Sequence, residues 1–466
     1  MHDLRAAQLR LGLVEVAGAA VTVFAAYVSV RLGARIGVGL VAVAALYLGF
    51  VLAFLAVPHV AVAVTVPVFA LVPAAKVLVS PSLGPVKDVI SLAAITAAAL
   101  VLVLERRRPD GTVLALVAIL LGLYVVDVGG GHGIAWAQGV RLIGEPLLLL
   151  VAGLTLPSPR RTLHWALASL VATGCGAALY GLLQQQVGQW ALVGWGYSFS
   201  TQVRTIGGRL RSFGTFDDPF AYAAFLLSSI VAVVFWMRRG TLALVALLVL
   251  FAGLGFSYVR TAALIGVGLA GLLLARRGST SSGVLVVAAA LVGGVALLLT
   301  NAGGTQTRSY QSGATVITLN GRVSAWKEAL GAPREWPFGR GVGTVGTAAQ
   351  RATYTLSPAA SPAGAVRAVD SGYLATIADV GLVGLAVLLA LLGRLLTLAS
   401  AAARRGVTAG WIALGFLVTL LLDAVTRSSF TGFPTAFLGL LLIGVALAAA
   451  REELEAPWTR AASAAG

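Results

Sequence analysis

The sequence predicts an all-α, polytopic membrane protein: a bundle of about fourteen transmembrane helices with two long extracytoplasmic loops. Three observations predict the helical membrane class. Of 466 residues, 59% are hydrophobic and only 11% charged, against roughly 25% charged in a soluble globular domain. The apolar residues fall in runs long enough to cross ~30 Å of hydrocarbon, which takes about 20 residues per helix. The runs do not alternate apolar with polar positions, which excludes a transmembrane β-barrel. A disordered chain, a fibrous protein and an ordinary cytosolic enzyme are excluded by the same composition.

In order, the runs place spans at 11–30, 36–56, 59–79, 86–104, 112–128, 134–156, 163–184, 219–237, 241–257, 259–275, 283–300, 371–393, 407–424 and 433–450. Twelve or thirteen crossings are the alternatives, because the first three runs are the weakest. The first run has no small-residue cleavage site behind it and reads as a retained helix. The chain then divides into helices over 1–184, an aromatic and basic loop over 185–218, helices over 219–300, a long loop over 301–370, helices over 371–450 and a tail over 451–466. The Ala-rich end from 456 onward reads as disordered.

Charge sets the orientation. With the N-terminus inside, the cytoplasmic segments hold the clusters Arg106-Arg107-Arg108, Arg160-Arg161, Arg238-Arg239, Arg276-Arg277 and Arg404-Arg405, whereas the short outer turns hold only Arg31, Arg35, Lys87, Arg260 and Arg427. Basic residues favour the cytoplasmic side of short loops, so both termini are expected to be cytoplasmic. The two long loops break this rule with a basic excess of their own. That excess points to an anionic ligand, or to long loops that cross whatever their charge. The formal net charge of +16 is thereby assigned to topology and a membrane-bound anion, with no nucleic acid expected.

The single cysteine, Cys175, excludes an intrachain disulfide, and His2, His59, His132 and His164 are too scattered for a zinc centre. No metal or other cofactor is expected. Four pieces carry the candidate chemistry. Arg209 and Arg211 precede Asp217-Asp218-Pro219, where proline fits a first helical turn and an aspartate fits its N-cap. Arg260 follows Ser257-Tyr258-Val259 at a tight step between spans; it either snorkels to headgroups or presents a planar guanidinium to a phosphate. Arg322 and Trp326 share a helical face, and Gly339, Gly341 and Gly343 around Arg340 allow a backbone that approaches a ligand closely. Asp370 opens a span as Asp370-Ser371-Gly372-Tyr373-Leu374, either as an N-cap or as a general base at the membrane surface.

In this order the four pieces resemble the O-antigen ligase and O-antigen polymerase superfamily over about 205–390. Arg211 to Pro219 resembles its R-x-x-G-x-F-x-(N/D)-P motif. Ser257 and Arg260 resemble its S-R step with two residues inserted. Arg322, Trp326 and 337–343 resemble its G-R-x-x-x-W and P-x-x-G-x-G-x-G motifs, with Arg340 in place of a small residue. Positions 370–384 resemble its (H/D)-(N/S)-x-(Y/F)-L motif and following G-L-V-G turn. The resemblance implies a metal-independent, inverting glycosyltransferase of the C-type membrane architecture, in a bacterial inner membrane. Its donor is a glycan on undecaprenyl diphosphate, and its acceptor is a hydroxyl of a second glycan or glycolipid on the outer face. It implies diphosphate-binding roles for Arg211, Arg260, Arg322, Arg209 and Arg340, and a catalytic role for Asp370, where ligases of the family generally carry histidine.

The competing class is a transporter or flippase of the same lipid-linked glycan. Lys76, Asp88, Asp127, Arg141, Glu145 and Asp423 lie in or near spans, and intramembrane charges mark substrate pathways. Arg141 and Glu145, four apart on a helix, are expected to pair.

Overall fold

The computed structural model describes residues 34–104, 109–199, 204–206, 209–237, 240–277, 327, 330–331, 333–349, 369 and 371–464. The chain is helical and polytopic. Among the described residues the helices are α1 Ala34–Ala56, α2 Pro58–Leu78, α3 Val86–Leu104, α4 Gly111–Val126, α5 Ile134–Thr155, α6 Pro159–Gly194, α7 Pro219–Trp236, α8 Thr241–Ser257, α9 Arg260–Arg277, α10 Gly372–Arg404, α11 Thr408–Thr426 and α12 Thr435–Ala464. Among the described residues, nine helices are long and apolar enough to cross a membrane, and Gly111–Val126 and Thr241–Ser257 are shorter apolar helices. The predicted spans 11–30 and 283–300 lie outside the described residues, as do Arg322, Trp326 and Asp370.

Proline starts several helices, at the first turn of α2, α6 and α7, where its missing N–H costs nothing. Three helices outrun their predicted ends, among them α10, which continues past 393 to Arg404. α6 continues past 184 to Gly194, bending at Gly188 (φ 76°, ψ 173°). α12 continues through the Ala-rich tail to Ala464, because alanine is the best helix former and a helix already anchored in the bundle needs no new nucleus.

The core seam runs between α5 and α12. Gly153 and Gly444 face each other across it: a Cβ on Gly153 would collide with the Leu441 carbonyl oxygen, and one on Gly444 with that of Leu150. Small residues are what let two membrane helices approach so closely. Gly444→Val should therefore cost ~1–3 kcal/mol or more by overpacking, read as a lowered midpoint of thermal unfolding in detergent. An unchanged midpoint would show that the seam has slack.

Short connections make neighbouring helices antiparallel, so the turns sort into two ends. At one end Arg394 Nε donates to Asp110 Oδ1 at 3.3 Å and Arg160 approaches Glu453 at 4.0 Å. At the other end Lys76, on α2, donates to Asp217 Oδ2 at 3.1 Å, and Ser428 donates to the Val369 carbonyl at 2.7 Å. Every described candidate residue lies toward this second end.

Candidate active site at one end of the bundle

The segment between α6 and α7 folds inward. A two-residue hairpin pairs β1 Thr205–Ile206 with β2 Arg209–Leu210. Arg209 is exposed on it. Arg204, 2% exposed, donates to the Ser198 carbonyl at 2.7 Å and to the Asp217 carbonyl at 2.8 Å. Its guanidinium lies 4.2 Å from the Phe213 ring centroid, with Tyr197 and Phe199 on its flanks. Burial pulls its pKa below the usual arginine value, partly offset by the Asp217 charge. Gln184 clamps the next turn: its Oε1 accepts from the Phe213 and Gly214 amides at 3.0 Å, and its Nε2 donates back to Gly214.

Arg211 also turns inward. It is 3% exposed, and its Nε donates to the Ser257 carbonyl at 3.0 Å and its Nη2 to the Tyr258 carbonyl at 3.4 Å. These are carbonyls at the end of α8, which a helix leaves unsatisfied. Tyr258 caps α8 in the left-handed region (φ 51°), and two residues later Arg260 opens α9. The Arg260 side chain lies outside the description. Thus the basic excess of this loop is used at Arg204 and Arg211 to satisfy buried carbonyls. Sequence reading, which expected a positive surface, could not see that.

The two aspartates divide their work. Asp218 is the N-cap of α7, with Oδ1 accepting from Phe220 and Ala221 N–H at 2.8 Å, and Pro219 follows at N1, both as expected. Asp217 pairs with Lys76 instead.

Phe220 is the meeting point. The Arg211 guanidinium lies 4.7 Å from its ring centroid and that of Arg427 5.7 Å. Arg427 follows α11, where Nη1 meets Asp423 Oδ2 at 3.1 Å and Nη2 lies 3.9 Å from Asp218 Oδ1. Asp423 also accepts from Ser429 at 2.6 Å. The same turn holds both neighbours of Asp370: Ser428 donates to the Val369 carbonyl, and Ser371 Oγ donates to the Ala424 carbonyl at 3.4 Å. Ser371, not Asp370, is the N-cap of α10, accepting from Leu374 N–H at 3.5 Å. The capping alternative for Asp370 is thereby corrected: the hydroxyl next to it holds that place.

The glycine-rich segment docks on protein rather than opening toward a ligand. Gly341 (φ 108°) lies against Gly130, where a Cβ would collide with the Gly130 Cα, and Gly381 (φ 73°) breaks α10 to admit the Pro337 carbonyl. Arg340 N–H donates to the Ala378 carbonyl at 2.7 Å and Leu382 N–H to that of Trp336 at 2.7 Å. The Arg340 side chain meets Glu335 at 3.3 Å. His132, in the facing glycine turn, lies edge-on to Trp136 at 4.9 Å.

Arg141 pairs with Glu145 at 2.8 Å as expected, but inside a larger network: Arg141 and Lys87 both contact Asp88, and Lys87 Nζ lies 5.1 Å from the Phe433 ring centroid. Among the described residues no group of three or more His, Cys, Asp or Glu side chains is placed to hold a metal ion.

The residues missed in the sequence are Arg427, counted there only for orientation, and Asp379, whose Oδ1 accepts from Gly343 N–H at 3.2 Å. An acid two residues before a glycine break in an apolar helix was the available signal for Asp379. No family model matches the chain, and no curated protein matches it.

Proposed function

We propose that the protein is a membrane glycosyltransferase that moves or polymerises glycan from an undecaprenyl-diphosphate donor onto an acceptor hydroxyl. One observation supports this most. Two segments far apart in sequence meet at Phe220: Arg211, bonded to the step that leads to Arg260, and Arg427, whose turn holds both neighbours of Asp370. In this reading Arg260, Arg322, Arg209 and Arg340 receive the diphosphate, and Arg211 fixes the helix end before Arg260. A diphosphate leaves readily once its charge is held, so guanidinium groups take the part that a divalent metal has elsewhere. The acceptor oxygen attacks the anomeric carbon with inversion, the C–O bond to the diphosphate breaks, and Asp370 takes the hydroxyl proton.

Purified protein in liposomes, given an undecaprenyl-diphosphate-linked glycan and a glycan acceptor, should form a new glycosidic bond, and EDTA should leave the rate unchanged. Movement of the donor across the bilayer with no bond formed would favour the transporter reading. The partly buried Lys87–Asp88–Arg141–Glu145 network is the observation behind that alternative.

The reaction end is assigned to the extracytoplasmic face of a bacterial inner membrane. On intact cells an impermeant thiol reagent should label Ser312→Cys and spare Thr112→Cys, in a Cys175→Ser background. The reverse pattern would invert the orientation.

A further inference from the structure

Asp127 lies outside every motif the transferase reading uses. It closes α4 in the left-handed region (φ 46°), is 3% exposed, and its Oδ1 accepts from Val342 N–H at 2.8 Å. Asp379, from α10, accepts from the next amide, that of Gly343. Two carboxylates from separate helices therefore grip consecutive amides of the glycine-rich segment. Among the described residues neither has a basic partner, and Asp127 Oδ2 is buried without any partner. A buried carboxylate in that state is expensive to keep, so its remaining bond to Val342 carries the reason for its presence.

We propose that Asp127 and Asp379 are positioning residues, a two-point latch on the Val342 and Gly343 amides that sets the path of 337–343 and with it the place of Arg340. The consequence for Arg340 rests on the transferase reading; the latch itself does not. Removing one grip frees an amide and lets Arg340 wander, which weakens donor capture more than it slows the chemical step.

The test measures amide hydrogen exchange over 339–345 by mass spectrometry, together with donor KM and kcat on undecaprenyl-diphosphate-linked glycan. Wild type, Asp127→Ala and Asp127→Asn are compared. In Asp127→Ala exchange at Val342 should rise about tenfold or more, and donor KM should rise by more than kcat falls. Asp127→Asn, whose side-chain oxygen still accepts, should restore both. Exchange at the wild-type rate in Asp127→Ala overturns the latch, as does failure of the asparagine to restore protection. Faster exchange with an unchanged KM overturns the link to Arg340. Should Asp127→Ala fail to fold, wild type decides: amides 342 and 343 exchanging at the rate of an unstructured peptide overturn the proposal. A wild-type chain that forms no glycosidic bond defeats the transferase reading alone, because exchange is read without turnover.

Discussion

Asp370→Asn should lower turnover by ~10²–10⁴-fold, the range for loss of a positioned general base, while donor binding and folding survive. Asparagine matches aspartate in shape and caps a helix about as well, so the exchange removes little but the capacity to take a proton. The structure sharpens this experiment. The cap of α10 is the Ser371 hydroxyl, so a cap is no longer a competing reason for an acid at position 370. Two other acids at this end of the bundle are also occupied: Asp217 pairs with Lys76, and Asp218 caps α7. Single-turnover kinetics with labelled donor, alongside a donor-binding isotherm, make the measurement. Near-normal turnover in Asp370→Asn would remove the base from this position. Ser371→Ala gives the complementary result, a loss of about 0.5–2 kcal/mol in stability with the chemical step retained.

Most of the fold was legible because it rests on properties of the chain that need no partner. Apolar runs of bilayer length give spans at Ala34–Ala56, Pro219–Trp236 and Thr408–Thr426 within a few residues of their predicted limits. Local rules also carry: Asp218 and Pro219 start α7, and Arg141 finds Glu145 one turn away. What was illegible depends on what a side chain meets across the bundle. A charge count treats Arg204 and Arg211 as surface, since nothing in their neighbourhood says that the Ser198, Asp217, Ser257 and Tyr258 carbonyls need donors. A run of alternating glycines signals close approach but not to what, and here Gly341 meets Gly130. Likewise a cap depends on one residue of register, which decides between Asp370 and Ser371.

Arg427→Ala should destabilise the protein by ~3–5 kcal/mol, the cost of leaving a buried carboxylate without its cation. Asp423 is 2% exposed, and Arg427 at 3.1 Å and the Ser429 hydroxyl at 2.6 Å are its partners. The Arg427 guanidinium also covers one side of Phe220, worth ~0.5–2 kcal/mol. If the deficit comes from the stranded charge, neutralising that charge should recover most of it. Asp423→Asn in the Arg427→Ala background should therefore be more stable than Arg427→Ala alone, a coupling of the size seen between residues in one ion-pair network. Denaturant unfolding in detergent measures all four corners of the cycle. A loss below ~1 kcal/mol in Arg427→Ala, or a double variant no better than the single, would remove the ion pair as the cause. The repaired double variant then separates stability from function. Arg427 shares Phe220 with Arg211 and sits on the turn that holds both neighbours of Asp370. In the transferase reading, a guanidinium there would add to the charge of Arg260, Arg322, Arg209 and Arg340 that meets the departing diphosphate. A folded double variant with a raised donor KM would give Arg427 that role, whereas one with wild-type kinetics would leave it as the strut between α7 and α11.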